Sequence, residues 1–391
     1  MIHVLNRLSG RVGRVSIAIV FAATLTACSM LPSMPSFLGG SEPKPKPAEL
    51  APDPGLIGVR QAWTSRVGQV NLPLAVNVSG ETVVVAGSDG TVAALDAASG
   101  RDLWRTNVGA PIAAGVGSDG ALTAVITRVN DLVALAAGRE VWRQKLGAQG
   151  FTAPFVGGGR VFVLAADRSV SAFDGQSGRK LWTQQRPGEP LVLRQAGVIL
   201  AVGDTLVVGQ AGRLAGLNPV NGSIRWEAPI ASPRGTNDIE RLVDLVGRVS
   251  RVADTVCARA FQTSVGCVDT ARGTVLWTKP ANGFDGVHGD ERNVFGSESD
   301  GKLVAWRRDN GERAWVTDRL QYRGLTAPLA VGRSVVVGDS TGLLHLLSRE
   351  DGSLLTRLAT DGSPIAAAPV IAGNTMIVVT RNGAIFGFVP Q

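Results

Sequence analysis

The chain predicts an all-β fold, an eight-bladed β-propeller closed by its own N-terminal strand, and three observations carry that expectation. A phrase recurs along the sequence, short strands alternate with glycine turns, and the last set of strands lacks an outer member that a lone tryptophan near the front can supply. The phrase is a turn residue, three variable positions, a glycine, three more positions and a tryptophan. It reads Asp96, Gly100, Trp104; Asp174, Gly178, Trp182; Asn218, Gly222, Trp226; and Asp269, Gly273, Trp277. Gly138 and Trp142 form a copy without the acidic start, Arg307 replaces the acid before Gly311 and Trp315, and the copy near Gly352 carries Thr356 where tryptophan belongs. Copies recur every 38 to 51 residues, the length of a four-stranded propeller blade.

Upstream of each phrase lie short apolar, β-branched runs: Thr82 to Ala86 then Thr91 to Leu95, Arg160 to Ala165 then Val170 to Phe173, Ser334 to Val337 then Leu343 to Leu347. Runs this short, bounded by Gly-Ser-Asp-Gly or Gly-Asp-Ser-Thr-Gly, are hairpin strands rather than helices. Forty-nine glycines suit a chain that turns constantly. Within the phrase, Asp or Asn bonds its own turn and glycine supplies positive φ, so the two outer strands of a blade meet in defined register. The tryptophan then falls at a constant depth. One indole buries roughly 150 to 250 Å², so these residues read as packing between blades rather than as ligand platforms.

Phrases ending at Trp104, Trp142, Trp182, Trp226, Trp277, Trp315 and Thr356 give seven outer hairpins. An eighth set of strands, Ala367 to Val370, Thr375 to Thr380 and Ala384 to Val389, reaches the C-terminus without an outer strand, and Leu56 to Thr64, carrying Trp63, is expected to supply it. Closure of that kind leaves no blade short of its outer strand, with an exposed edge, and holds the chain ends together.

The front of the chain speaks for a secreted protein. Arg7, Arg11 and Arg14 precede an apolar run from Val15 to Leu25, too short to span a bilayer, followed by Thr26, Ala27 and Cys28. Residues 1–27 therefore read as a signal peptide, and Leu25-Thr26-Ala27-Cys28 resembles the lipobox of bacterial lipoproteins, in which the cysteine is acylated. In such proteins an Asp after the cysteine favours the inner membrane; Ser29 here implies sorting to the outer membrane, facing the periplasm. Several acyl chains give durable anchoring. Residues 28–54, with Pro32, Pro35, Pro43, Pro45, Pro47, Pro52 and Pro54, read as an extended tether, and 55–391 as the propeller. Loss of the three leader arginines lowers the net charge from +7 to +4, and a single tyrosine with no basic run excludes a nucleic-acid binder.

Cys257 and Cys267 flank an expected turn near Gln262 at equal distance, so they face each other across adjacent strands either as a disulfide or as two buried thiols. No Cys-x-x-Cys or histidine spacing offers a metal site. Gly338-Asp339-Ser340-Thr341-Gly342 fits the hydrolase G-x-S-x-G string and Gly115 to Gly120 fits G-x-G-x-x-G, but neither opens a helix, so both read as hairpin turns. His345 reads as a strand or core residue, and His288, beside Asp285, Asp290 and Glu291, as part of a solvated loop.

The phrase Asp-x-x-x-Gly-x-x-x-Trp resembles the propeller repeats of quinoprotein alcohol dehydrogenases, which bind pyrroloquinoline quinone. With the lipobox, the length and eight blades, residues 28–391 are similar to the BamB family of outer-membrane assembly lipoproteins. The quinoproteins carry adjacent cysteines over their cofactor, and no Cys-Cys pair occurs here, so the resemblance implies a scaffold without catalysis or cofactor; a pyrroloquinoline-quinone-dependent dehydrogenase is the alternative. It also implies docking on the periplasmic domains of BamA, the barrel-inserting subunit, and membership of the wider assembly machinery. Leu191, Leu193 and Arg194, after the phrase ending at Trp182, and Asp244, after the one ending at Trp226, match the family's docking pattern. Where the family often has a second acid, this chain has Val246. In a propeller the two segments emerge on one face, side by side, and an apolar pair beside a guanidinium has the composition of an interface hot spot. The competing reading is that Leu191 and Leu193 begin an inner strand. Blade edges are further expected to pair with unfolded outer-membrane proteins.

Overall fold

The computed structural model describes residues 45–186, 192–232 and 243–391. Among the described residues, thirty-two strands form eight antiparallel sheets of four. Seven blades are continuous in sequence, at 77–107, 112–145, 155–184, 199–229, 245–280, 287–317 and 329–359. The eighth joins Val370–Ala372, Thr375–Val379 and Ala384–Pro390 to Val59–Arg66 from the other end of the chain. That closing strand runs antiparallel to Ala384–Pro390 from Val59 opposite Pro390 to Arg66 opposite Ala384. It begins and ends slightly later than the sequence suggested, and the last inner strand, expected at Ala367 to Val370, is Val370–Ala372. Signal peptide, Cys28 and most of the tether lie outside the described residues.

The burial of each strand follows its place in the blade. The middle strands Thr82–Ala86 and Thr91–Asp96 have neighbouring blades on both faces and are apolar throughout their buried length. The outer strand Asp102–Asn107 touches solvent and alternates.

Each phrase does its packing across the junction to the next blade. The Trp63 ring lies against Gly100, Trp104 against Gly138, Trp142 against Gly178, Trp182 against Gly222, Trp226 against Gly273, Trp277 against Gly311 and Trp315 against Gly352. All seven glycines have φ between 67° and 78°, and a methyl on any of them would stand within 3.1 Å of the indole or closer. Glycine is needed twice over, for the backbone and for the ring. Five of the indoles also donate Nε1–H to a carbonyl of the next blade: Trp63 to Ala97 at 3.0 Å, Trp142 to Gly175 at 2.8 Å, Trp182 to Pro219 at 3.1 Å, Trp277 to Arg308 at 2.7 Å and Trp315 to Arg349 at 2.9 Å. Opposite each tryptophan in its own sheet stands a small residue: Gly387, Ala94, Ala134, Ala172, Gly216, Cys267 or Ala305.

The imperfect copies have separate causes. The turn closes through a backbone bond from the glycine N–H to the carbonyl four residues earlier, at 2.8 Å in both Gly100 to Asp96 and Gly311 to Arg307. Arg307 therefore substitutes without loss of the turn; what it forgoes is the bond that Asp96 Oδ1 accepts from Ser99 N–H at 2.9 Å. In blade 2 the turn is shorter. Ala136 pairs directly with Arg139, leaving Ala137 and Gly138 at φ 46° and 78° as a two-residue hairpin, so no acidic start is required.

Thr356 marks the one junction without an indole. The next blade's outer turn does not exist there, because blade 8 is assembled from the two chain ends. Leu346 stands opposite Thr356 where other blades have a small residue. A strap from the end of the predicted tether covers the junction instead. Ala48 N–H donates to Gln321 O at 2.9 Å, Leu50 packs against the core cluster that includes Leu320, Val335 and Leu347, and Leu56 N–H reaches Leu355 O at 2.8 Å. Asp53 is its hub: Oδ2 accepts from Thr356 Oγ1 at 3.3 Å and Arg357 N–H at 3.1 Å, and Oδ1 from Gly55 N–H at 3.1 Å. An apolar cavity of about 240 Å³ remains beside it, lined by Val59, Val336, Leu346, Met376 and Phe388.

Two histidines are built into the ring as neutral groups. His288 is not on a solvated loop: it lies in the inner strand Val287–Gly289, where Nδ1 accepts Ala330 N–H at 3.0 Å across a blade junction. Burial, with Arg248 and Arg308 nearby, lowers its pKa to about 3. His345, in Leu343–Ser348, is fully buried, and burial lowers its pKa despite the Asp339 carboxylate 3.0 Å from Nε2. The G-x-S-x-G string forms the turn before that strand, and its Asp339 accepts from Arg323 Nε at 2.8 Å and Leu343 N–H at 3.0 Å. Burial opposes the charge of Asp339, but bonds from His345, Leu343, Thr341 and Arg323 prevail and hold its carboxyl well below the usual range. Gly115 to Gly120 likewise ends one strand, Ile112–Ser118, and turns into the next, Leu122–Thr127.

Two measurements test these features. Asp53→Ala is expected to lower Tm by about 2 °C and to speed amide exchange in residues 48–58 and Leu354–Ala359 while the seven indole junctions keep their protection. Both histidines bind their proton more weakly folded than unfolded, so their contribution is full above pH 6.5 and falls as acid is added, by up to about 1.4 kcal/mol per pH unit for each. His288→Asn, whose Oδ1 can accept the Ala330 N–H, should flatten the fall in Tm between pH 6.5 and 4; an unchanged slope would exclude His288 as a source.

Candidate partner-docking face

In every blade, the link from its outer strand to the next inner strand emerges on the same face as the turn between its two middle strands. Residues 146–154, 185–198, 230–244 and 281–286 are four consecutive links on that face. The one at 230–244 belongs to the longest phrase interval, Trp226 to Trp277. Its residues 233–242, including Ile239 to Leu242, and Leu191 with residues 187–190 lie outside the described residues.

The remaining predicted residues converge. Leu193 N–H donates to Asp244 Oδ2 at 2.9 Å, which ties two neighbouring links together. Arg168 Nη2 stands 3.6 Å from Asp244 Oδ1, and Phe261 N–H donates to the Asp244 carbonyl at 3.0 Å. Asp244 thus spends its carboxylate inside the chain and sets the loop rather than presenting a charge outward. Arg194 is exposed, with its guanidinium 5.5 Å from the Phe151 ring centre. Leu193 is half-buried at the edge of a small cleft with Phe151, Gln210 and Asp244. It does not begin a strand, since the inner strand of blade 4 is Ile199–Val202. Val246 is buried at 2 % exposure in the inner strand Leu245–Val252, where an acid would be desolvated.

Sequence reasoning missed Phe151, Arg168 and Phe261. Arg168 sits at φ 63° in the turn before Val170, a conformation nothing in its neighbours announces. Phe261 belongs to the turn that also holds Gln262.

On the same blade, Cys257 lies directly opposite Cys267 on adjacent strands, and the two are joined as a disulfide, both fully buried. Cys267 is also the small residue facing Trp277. A cavity of about 710 Å³ is lined mainly by the links that lead into the inner strands, with Arg194, Arg248, Asp285 and Arg381 among its charged groups. Among the described residues no group of three His, Cys, Asp or Glu side chains is placed to hold a metal ion.

The family model described as outer membrane protein assembly factor BamB matches residues 88–317. The outer membrane protein assembly factor BamB of Burkholderia pseudomallei is 38% identical over 344 residues, covering 86% of this chain and 89% of the relative. That of Bordetella pertussis is 35% identical over 384 residues, covering 97% and 98%. Among solved structures, BamB from Moraxella catarrhalis superposes with a TM-score of 0.77 at 24% identity over 85% of this chain and 99% of that one. Quinohemoprotein alcohol dehydrogenase from Comamonas testosteroni shares the propeller architecture, with a TM-score of 0.63 at 14% identity over 86% and 77%. By the extent of the family match and the identity to these relatives, the chain belongs to the family of the outer membrane protein assembly factor BamB.

Proposed function

We propose that this protein is a non-catalytic scaffold of the outer-membrane β-barrel assembly machinery, anchored to the outer membrane through acylated Cys28, facing the periplasm and docking on the periplasmic domains of BamA. The observation that carries the docking site is the clamp between Asp244 and the backbone of Leu193. It holds the links of blades 3 to 4 and 4 to 5 in one surface and leaves Arg194 exposed upon it. Arg194 and Leu193, with Leu191 preceding them, form the contacting group; Asp244 positions it. Apolar anchors that lose water beside a guanidinium that makes directed bonds are the combination that concentrates binding energy in few residues. The names of the relatives support the role in assembly, and the lipobox supports the anchor. The likeness to the alcohol dehydrogenase, at 14% identity, concerns the fold.

Leu191→Glu combined with Arg194→Ala is expected to abolish co-purification of BamA from solubilised outer membrane while Tm and the β-sheet circular dichroism stay those of the parent. Undiminished co-purification from a folded double variant would remove the site. For Asp244→Ala the expectation is weaker co-purification together with faster amide exchange at Leu193, because the loop loses its clamp.

A further inference from the structure

A closed circuit of contacts extends the docking surface beyond the residues that sequence reasoning reached. Phe284 lies in the link from blade 5 to blade 6, between Thr274–Pro280 and Val287–Gly289. Its carbonyl accepts Gln195 Nε2 at 3.3 Å, and Gln195 directly follows Arg194. Its ring lies 5.6 Å from that of Phe261, whose N–H donates to the Asp244 carbonyl, and Asp244 in turn holds Leu193. Three links on one face are thereby joined into a single unit: Leu193 to Asp244, Asp244 to Phe261, Phe261 to Phe284, and Phe284 back to Gln195.

Phe284 remains 43 % exposed in this arrangement. An aromatic ring packed against Phe261, on a backbone held by Gln195, yet open to solvent gives up little conformational freedom on binding and has much apolar surface left to bury. Among the described residues of these three links, Arg194 is the exposed charge. Asp244 is engaged by Leu193 N–H and Arg168, and Asp285 interacts with Arg259 and Arg381, whereas Arg194 stands exposed over Phe151. Charge complementarity then specifies the partner's matching patch.

We propose that Phe284 is a further anchor of the docking surface, which takes a folded polypeptide presenting an apolar side chain next to a carboxylate. The inference rests on the docking site proposed above and extends it from two links to three. Arg194 would bond the carboxylate while Phe284 covers the apolar group.

The test uses the full-length lipidated protein in its native membrane. Phe284→Ala is expected to lower the BamA recovered by about fivefold or more, and Phe284→Tyr to restore it, with Tm within about 2 °C of the parent in each. A photoreactive phenylalanine analogue at position 284, which keeps the ring and does not depend on the stability of the Ala variant, is expected to crosslink to BamA. If Leu191→Glu with Arg194→Ala loses BamA while Phe284→Ala keeps it and the analogue yields no crosslink, Phe284 is no anchor and the original site stands. If both variants keep BamA, the site and its extension fall together.

Discussion

The contact on which the ring depends is an indole seated on the positive-φ glycine of the following blade. It couples a local turn to a long-range junction. In five of the seven turns the glycine N–H bonds the carbonyl four residues back, in all seven the missing side chain makes room for the ring, and in most junctions a nearby carbonyl takes the indole N–H. Each element is unremarkable alone. Together they make the outer edge of one blade a template for the next, and seven repetitions carry the register nearly round the circle. The small residue opposite each tryptophan belongs to the same unit, since a larger one would push the ring off its glycine.

The eighth junction shows what happens where the template cannot be copied. A blade made from both chain ends has no continuous outer turn to receive an indole, and there the chain has Thr356 facing Leu346. The strap centred on Asp53 takes over, so the segment leading from the tether is part of the ring rather than a passive leash. Arg323 adds to it by donating Nη1–H to Ala48 O at 3.1 Å while Nε bonds Asp339. The strap starts beside Gln321, in the link from blade 6 to blade 7, on the face that also carries Arg194 and Phe284. The start of the strap and the proposed docking residues therefore share one face of the propeller.

Much of this was legible in the sequence because the repeat writes its geometry in residue types. Asp, Gly and Trp at regular spacing gave blade count, turn position and the tryptophan's structural use, and the orphaned Trp63 gave the closure. The rest depends on pairs far apart in the chain. Asp53 meets Arg357 across 304 positions, and nothing in a proline-rich stretch distinguishes an acid that caps a distant strand from one that is merely solvated. His288 looked like loop because acids surround it, yet its ring is turned to the next blade. Trp306, outside every phrase, lies under the buried guanidinium of Arg259 at 5.8 Å, a partnership no spacing encodes. In the proposed docking face, Leu193, Arg194 and Asp244 were named through family resemblance. That Asp244 holds the loop, and that Phe261 and Phe284 complete it, follows only from side-chain placement.

A double-mutant cycle on Trp182 and Gly222 tests the central claim most directly. A methyl on Gly222 would stand 2.6 Å from the ring of Trp182, at a backbone φ of 76°. Stability should be measured for the parent, Gly222→Ala, Trp182→Leu and the double variant. If the glycine exists to seat the indole, Gly222→Ala costs at least about 1 kcal/mol more beside tryptophan than beside leucine, where only the backbone strain remains. Costs that add to within about 0.5 kcal/mol would mean that ring and glycine are independent, and that something else holds the blades together.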